Sequence, residues 1–301
     1  MDKYNNRETI KRTTFYSTFF STKKDGKKAL SYRSKRWILV IAIHLLFFLS
    51  FAIDIQTLEG TLNGSRFLGF HLIDPFTTLE MFLAQHHLHI NIIIGVSTIT
   101  VFYLLVGGRS YCSWVCPYGI LSEIGEKWHN TLVAKKIIKN RQFDHRVRYI
   151  FWAIFLILSF TSAYLVFESI SVVGIMSRFI AYGWSLSLVW VLIVLAFEVF
   201  YSRRAWCTYI CPIGTTYGII GKASALRVKW NDNCDHCMVC HDVCFENQVL
   251  EITKAKYAKQ TEEKNITYQY ITGADCTLCG RCIDVCHEDA LGFDFRLKNL
   301  V

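Results

Sequence analysis

All twelve cysteines of this 301-residue chain fall into four short motifs, each a ready set of soft-metal or redox ligands. Cys234-x2-Cys237-x2-Cys240-x3-Cys244 and Cys276-x2-Cys279-x2-Cys282-x3-Cys286 have the spacing that wraps a cubane [4Fe–4S] cluster in thiolates. In tandem runs of this kind the fourth cysteine of each run ligates the other cluster. That rule assigns Cys234, Cys237, Cys240 and Cys286 to one cluster, and Cys276, Cys279, Cys282 and Cys244 to the other. Structural zinc usually pairs two separated Cys-x2-Cys knuckles, so iron–sulfur is the expected chemistry. The fourth cysteines are followed by Phe245 and His287, where proline is usual; ligation is unaffected. His236, His241 and His287 either ligate or tune a cluster or are ordinary surface histidines, and beside a full cysteine set the second reading is favoured.

The other motifs are Cys112-x3-Cys116-Pro117 and Cys207-x3-Cys211-Pro212. Cysteines four apart share a helix face, and the proline ends or kinks the turn. Both belong to an internal repeat. Residues 109–119 (Arg-Ser-Tyr-Cys-Ser-Trp-Val-Cys-Pro-Tyr-Gly) match residues 204–214 (Arg-Ala-Trp-Cys-Thr-Tyr-Ile-Cys-Pro-Ile-Gly) at five of eleven positions. The repeat brings four thiols to equivalent depth. They bind a further metal or cluster, form a redox-active thiol set, or pack as small buried residues; the duplication argues against packing alone. Arg109 and Arg204 have three readings: lowering thiol pKa values, meeting a partner's acids, or reaching lipid phosphates.

Four apolar stretches must position these motifs: 37–53, broken only by His44; 88–106; 149–167; and 182–201, which contains Glu198. Each is near the ~20 residues that cross a bilayer. Residues 1–36 carry eleven Lys/Arg against three acids, and 107–148 carry eight against three. The connections 54–87 and 168–181 hold one basic residue each, Arg66 and Arg178. The positive-inside rule therefore places both termini and all four cysteine motifs in the cytoplasm. The formal charge of +9 is carried beside the spans, where it meets anionic lipid, while residues 222–301 have ten basic residues against twelve acids. Nucleic-acid binding is excluded on that distribution, and a disulfide scaffold is excluded by the cysteine spacing. The first 36 residues are basic and polar, with no cleavable apolar core.

The expected fold is a membrane all-α domain, four transmembrane helices in two repeated hairpins, followed by a cytoplasmic α+β ferredoxin-like domain with two [4Fe–4S] clusters. Its parts are a basic segment (1–36), the transmembrane domain (37–221) and the ferredoxin-type domain (222–301). Within the last, residues 251–270 read as a solvated hairpin or partner-facing insert. Ionisable groups in or beside spans are functional candidates. His86, His87 and His89 gather at the outer end of the second span, with Asp54 and Glu168 approaching the same side. They are either the proton-accepting site of quinol oxidation or a polar, wet helix entrance. Glu198 reads as a partner of Arg203 or Arg204. His44 and His89 differ by roughly 13 Å in depth at ~1.5 Å per residue, so no haem is expected.

Taken together, these residues resemble the NapH-type ferredoxin membrane subunits of periplasmic nitrate reductase systems. The resemblance runs through the basic start, Asp74-Pro75-Phe-Thr-Thr-Leu-Glu80, both Cys-x3-Cys-Pro motifs, Tyr217-Gly-Ile-Ile-Gly221 and both ferredoxin runs. It implies a multi-pass protein of the bacterial cytoplasmic membrane that takes electrons from menaquinol or ubiquinol. It implies a NapG-like iron–sulfur partner and a terminal reductase further on, and an electron-transfer component rather than an autonomous enzyme. NosR-type and CcoG-type proteins share this core. Two functions of other classes compete: a copper reductase or assembly factor using the four Cys-x3-Cys thiols, and a transport or sensor protein with clusters as a redox gauge.

Overall fold

Prolines, caps and left-handed residues cut the apolar sequence into more pieces than hydropathy alone suggests. The computed structural model describes residues 19–22, 28–53, 58–61, 64–67, 70–87, 89–141, 143–254, 257 and 267–296. A short antiparallel hairpin, β1 (Phe20–Thr22) and β2 (Lys28–Leu30), precedes α1 (Tyr32–Ala52). Ser31 caps α1 by accepting from the Ser34 amide. Among the described residues α1 is the one helix both long and apolar enough to cross a bilayer unaided.

The antiparallel sheet β3 (Leu58–Thr61), β4 (Gly64–Phe67), β5 (Phe70–Ile73) leads into α2 (Pro75–Gln85). Asp74 caps α2, its Oδ2 accepting from the amides of Phe76 and Thr77, both at 3.0 Å. Proline at the first position of α2 needs no amide partner there. Next come α3 (Ile90–Val106), α4 (Ser110–Trp114) and α5 (Pro117–Ala134). The second half repeats the plan with α6 (Val147–Ser162), α7 (Val166–Ile170), α8 (Val172–Tyr182), α9 (Leu188–Phe200), a π-helical turn (Trp206–Ile210) and α10 (Pro212–Gly221). Both motif prolines open a helix, α5 and α10, and do not kink one.

The expected spans shorten accordingly. α3, α6 and α9 are apolar but have 17, 16 and 13 residues. The stretch 149–167 is not one helix: α6 ends where Ala163 turns left-handed at φ 51°. The stretch 182–201 is helical only from Leu188, because the chain leaves α8 at Gly183. The two connections are not plain loops either, since α2 and α8 are 11-residue helices packed into the bundle. Asp54 lies outside the described residues.

The two halves embrace each other. α2 packs on α6 and α10, as α8 packs on α1 and α5; α3 meets α10 as α9 meets α5. β5 lies along α3 so closely that a Cβ on Gly95 would strike the His71 carbonyl. This run carries Asp74 to the end of α3 that holds Tyr103 and the first cysteine motif. The core between the halves contains Phe76, Phe167, Trp206, four tyrosines (Tyr103, Tyr111, Tyr118, Tyr217) and the cysteines.

Residues beyond α10 form a second core on a three-stranded antiparallel sheet ordered β7 (Tyr268–Ile271), β6 (Leu226–Asn231), β8 (Leu291–Phe295). Val228 faces Ile271 on one side and Phe293 on the other. α11 (Val239–Val243), a 3-10 segment (Asn247–Thr253) and α12 (Arg281–Asp284) pack around it. Of the expected insert at 251–270, only the two ends and Tyr257 are described.

Candidate iron–sulfur and redox site

Each ferredoxin run is a loop entering a short helix, α11 or α12, and the two loops share an unusual backbone. In the first run His236 and Met238 take φ of 56° and 67°; in the second, Leu278 and Gly280 take 50° and 73°. These are the second and fourth positions after the leading cysteine in both runs. Left-handed residues reverse the chain tightly, as wrapping a compact centre requires. Gly280 meets a second demand, since a Cβ there would lie 2.5 Å from Tyr32 Cβ.

The thiols sort into two neighbourhoods. Burial raises Cys240, Cys286, Cys244 and Cys282; beyond burial, Cys240 is influenced by Cys234 and Cys286, and Cys286 by Cys234. Cys244 is influenced by Cys279 and Cys276, and Cys282 by Cys279, Cys244 and Cys276 before Cys240. Cys244, Cys276, Cys279 and Cys282 also line one common cavity. The crossed donor sets and wrapping loops fit cubane clusters, whose iron–sulfide cores would each store one electron when held by these thiolates.

His236 and His241 are buried, not on the surface. His241 Nε2 lies 2.8 Å from both the Leu250 carbonyl and Thr253 Oγ1, and His236 Nδ1 lies 3.2 Å from the Thr253 carbonyl. They brace the 3-10 segment behind the first run. His287 is surface-exposed and pairs with Asp235 at 3.1 Å. Phe245, where proline is usual, lies under the Arg204 guanidinium at 4.4 Å, a cation–π contact with the second Cys-x3-Cys-Pro motif.

That contact is one of many joining the two parts. Asp284 of α12 accepts from the amides of Tyr32 and Arg33, so the ferredoxin unit helps to cap α1. Trp114 Nε1 donates to the Leu278 carbonyl at 3.0 Å, and Arg203 to the Cys244 carbonyl at 2.8 Å. Two buried ion clusters complete the clamp. Arg109 meets Glu246 at 3.4 Å, and Arg148 joins Glu246 at 3.1 Å and Asp275. Arg204 and Arg281 each meet Glu126 at 2.8 Å, while Arg33 and Arg36 hold Glu123. Burial alone would raise both glutamates, but the arginines outweigh it and hold each at about 2.

The four Cys-x3-Cys thiols lie together in the bundle core beneath this clamp. Arg109 touches both systems, donating to the Cys207 carbonyl at 3.0 Å and to the Asp275 carbonyl, next to Cys276, at 3.1 Å. Burial raises the pKa of all four thiols, Cys211 to about 12, and in Cys112 this outweighs the lowering influence of Arg109. Unmetallated, they are protonated and poor nucleophiles; a metal would deprotonate them.

Buried carboxyls flank these thiols. Glu198 does not bond Arg203 or Arg204: its two oxygens accept from Ser122 Oγ at 2.7 Å and the Trp206 amide at 3.1 Å. Asp74, noticed in the sequence only as part of a longer motif, stands with Tyr103, Tyr111 and Tyr217 on the other side. Glu80 Oε1 accepts from Ser159 and the Phe167 amide. His86, His87 and His89 are exposed around the C-terminal end of α2, His87 and His89 with rings 6.3 Å apart. Glu168 is half-buried and lies beside Glu80.

A family model described as a 4Fe-4S binding domain matches residues 88–137 and again 182–231, the two copies of the repeat. A 4Fe-4S dicluster domain model matches residues 233–290. The fold and site thus define a ferredoxin-type iron–sulfur electron-transfer protein. The ferredoxin-type protein NapH of Haemophilus influenzae is 31% identical over 245 residues, covering 80% of this chain and 82% of that one. Its namesake in Escherichia coli is 30% identical over 286 residues, 90% of this chain and 95% of that protein. The methylamine utilization ferredoxin-type protein MauN of Paracoccus denitrificans is 33% identical over 198 residues, covering 64% and 68%. The chain belongs to the NapH/MauN-type family. No solved structure matches it.

Proposed function

We propose that this chain is the membrane subunit of a quinol dehydrogenase, passing electrons from a quinol through iron–sulfur clusters towards a terminal reductase. The observation that carries the reading is the ferredoxin unit clamped onto the cysteine-bearing end of apolar helices whose outer faces are bare. Ile38, Ile41 and Leu46 of α1, Ile93 and Val101 of α3, Ile154 and Ile157 of α6, and Leu192 and Ile193 of α9 are all exposed. So wide an apolar surface is rare in water and ordinary in lipid. α1, α3, α6 and α9 are then the four spans of a domain at 37–221, preceded by the basic segment 1–36. The ferredoxin domain, 222–301, and both termini face the cytoplasm, where the basic residues gather.

In this reading Cys234, Cys237, Cys240 and Cys286 hold one [4Fe–4S] cluster, and Cys276, Cys279, Cys282 and Cys244 the other. Cys112, Cys116, Cys207 and Cys211 lie between the quinol and those clusters as redox thiols or metal ligands. His86, His87, His89 and Glu168 serve the outward release of protons. The acceptor is a NapG-like iron–sulfur partner, as the resemblance to NapH-type subunits implies. A copper-handling role is favoured by one observation, the convergence of four buried soft ligands.

The test is anaerobic EPR of the purified protein with a reduced menaquinone analogue. Reduced cluster signals, lost in a Cys112→Ser/Cys207→Ser variant with clusters still assembled, are expected. No reduction by quinol, with reoxidation of pre-reduced clusters by Cu(II), would replace this reading with the copper one.

A further inference from the structure

We infer that the cavity beside Asp74 is the quinol-binding site, an assignment that rests on the quinol-dehydrogenase reading and locates its substrate. The cavity is about 230 Å³ and is lined by Asp74, Ile99, Tyr103, Tyr111, Val115 and Tyr217 among others. A single water needs only ~10–15 Å³ of such space, so the cavity has room for a group far larger than one water.

Two polar atoms there lack partners. Asp74 is 4% exposed; its Oδ2 caps α2, and its Oδ1 has no partner in good hydrogen-bonding geometry, although the Tyr217 hydroxyl approaches the carboxyl. Tyr111 is 5% exposed and its hydroxyl is also unpaired. Orphaned buried polar atoms call for an explanation, and here an acceptor and a donor belong to two residues that line one largely apolar space. A quinol head group offers the complement: an apolar ring with a hydroxyl on its edge. That hydroxyl donates to Asp74 Oδ1, and Tyr111 donates to the same quinol oxygen.

The position suits electron transfer. Tyr111 and Val115 flank Cys112 and Cys116 in sequence. An adjoining cavity of about 440 Å³ shares Ile43, Tyr103 and Val115 and reaches Leu278, between Cys276 and Cys279. Oxidation breaks both quinol O–H bonds and leaves the quinone. Asp74 takes one proton, passes it on and then takes the second, and the two electrons would leave singly to the iron–sulfur clusters that the ferredoxin cysteines would hold. Proton release follows α2, along which Glu80 and His86 succeed Asp74 at six-residue intervals and Glu168 lies beside Glu80.

A rival cavity of about 440 Å³ lies beside His44. The Val40 carbonyl can only accept, so His44 Nδ1 donates to it at 2.7 Å and Nε2 is a bare acceptor. Its other lining residues are apolar and supply no donor. Glu80 Oε2 is also unpaired but lines none of these cavities.

The experiment uses the full chain in detergent with its clusters loaded. Binding of 2-heptyl-4-hydroxyquinoline N-oxide, a redox-inert quinol analogue, is followed by quenching of its fluorescence. Asp74→Asn, which keeps a capping side chain, and Tyr111→Phe should each raise Kd tenfold or more, with cluster absorbance unchanged. His44→Leu should leave Kd within twofold. Wild-type affinity in both cavity variants, or loss confined to His44→Leu, overturns the Asp74 site while quinol still reduces the clusters. If the wild type binds no analogue and quinol reduces no cluster, the quinol reading fails and this assignment with it.

Discussion

The two copies of the cysteine motif stand beside buried carboxyls with opposite fates. In the second copy, Glu198 has both oxygens engaged by Ser122 and the Trp206 amide. In the first, Asp74 lines a cavity, engages one oxygen in capping α2 and leaves the other without a well-aligned partner. The arginines diverge as well: Arg109 reaches Glu246 and the Cys207 carbonyl, whereas Arg204 reaches Glu126. Duplication has kept the scaffold and let its two sides specialise. One side holds the π-helical turn in place; the other is built to meet something from outside the chain.

The largest expected effect lies in the clamp that both copies support. Glu126→Leu strands Arg204 and Arg281 in a buried setting, and breaking such a pair costs roughly 3–5 kcal/mol. Protease cleavage near residues 221–226 should appear while the helices stay folded, and intact protection would mean that the ion clusters do not hold the two parts together. The pH dependence has a defined sign. Glu123 and Glu126 are depressed to about 2, so their contribution is present above the ordinary carboxylate range. It should be constant from pH 8 to 5 and fall only as pH drops below ~4.5 towards 2, read as brief acid-pulse proteolysis.

Glu198→Leu comes next. It leaves the Ser122 hydroxyl and the Trp206 amide unpaired, at about 1–3 kcal/mol each. Thermal unfolding should show the loss, while folded protein binds the quinol analogue normally. Weakened binding at unchanged stability would collapse the contrast between the two carboxyls.

The helix caps give a smaller effect. Ser171 caps α8 through the Gly174 amide at 3.2 Å, as Asp74 caps α2. Ser171→Ala should cost ~1 kcal/mol, and Asp74→Asn less, because asparagine caps equally well. The smallest is Tyr111→Phe, which removes a hydroxyl with no partner and should change stability by no more than ~0.5 kcal/mol. A larger loss would reveal a structural bond and weaken the case for a ligand there.

Local spacing made the ferredoxin runs and the duplicated motif legible, since four cysteines within eleven residues leave few ways to arrange their donors. Hydropathy placed the apolar helices but overran their ends. It is blind to the left-handed turn at Ala163 and to the break at Gly183, which are backbone events. It also missed α2 and α8, which lie between the long apolar blocks. His236 and His241 were misread for a related reason: neighbouring residues gave no sign that Thr253, more than ten positions away, would bury them.

By itself, then, the sequence determined the cluster chemistry, the repeat and the charge asymmetry, because each is written in residue types at short range. Only the tertiary structure decided which carboxyl is satisfied and which is bare. It also decided that Phe245 meets Arg204, and that Asp284 caps a helix some 250 residues away. Hydrogen-bond satisfaction is a property of what folding brings together, and no local pattern records it.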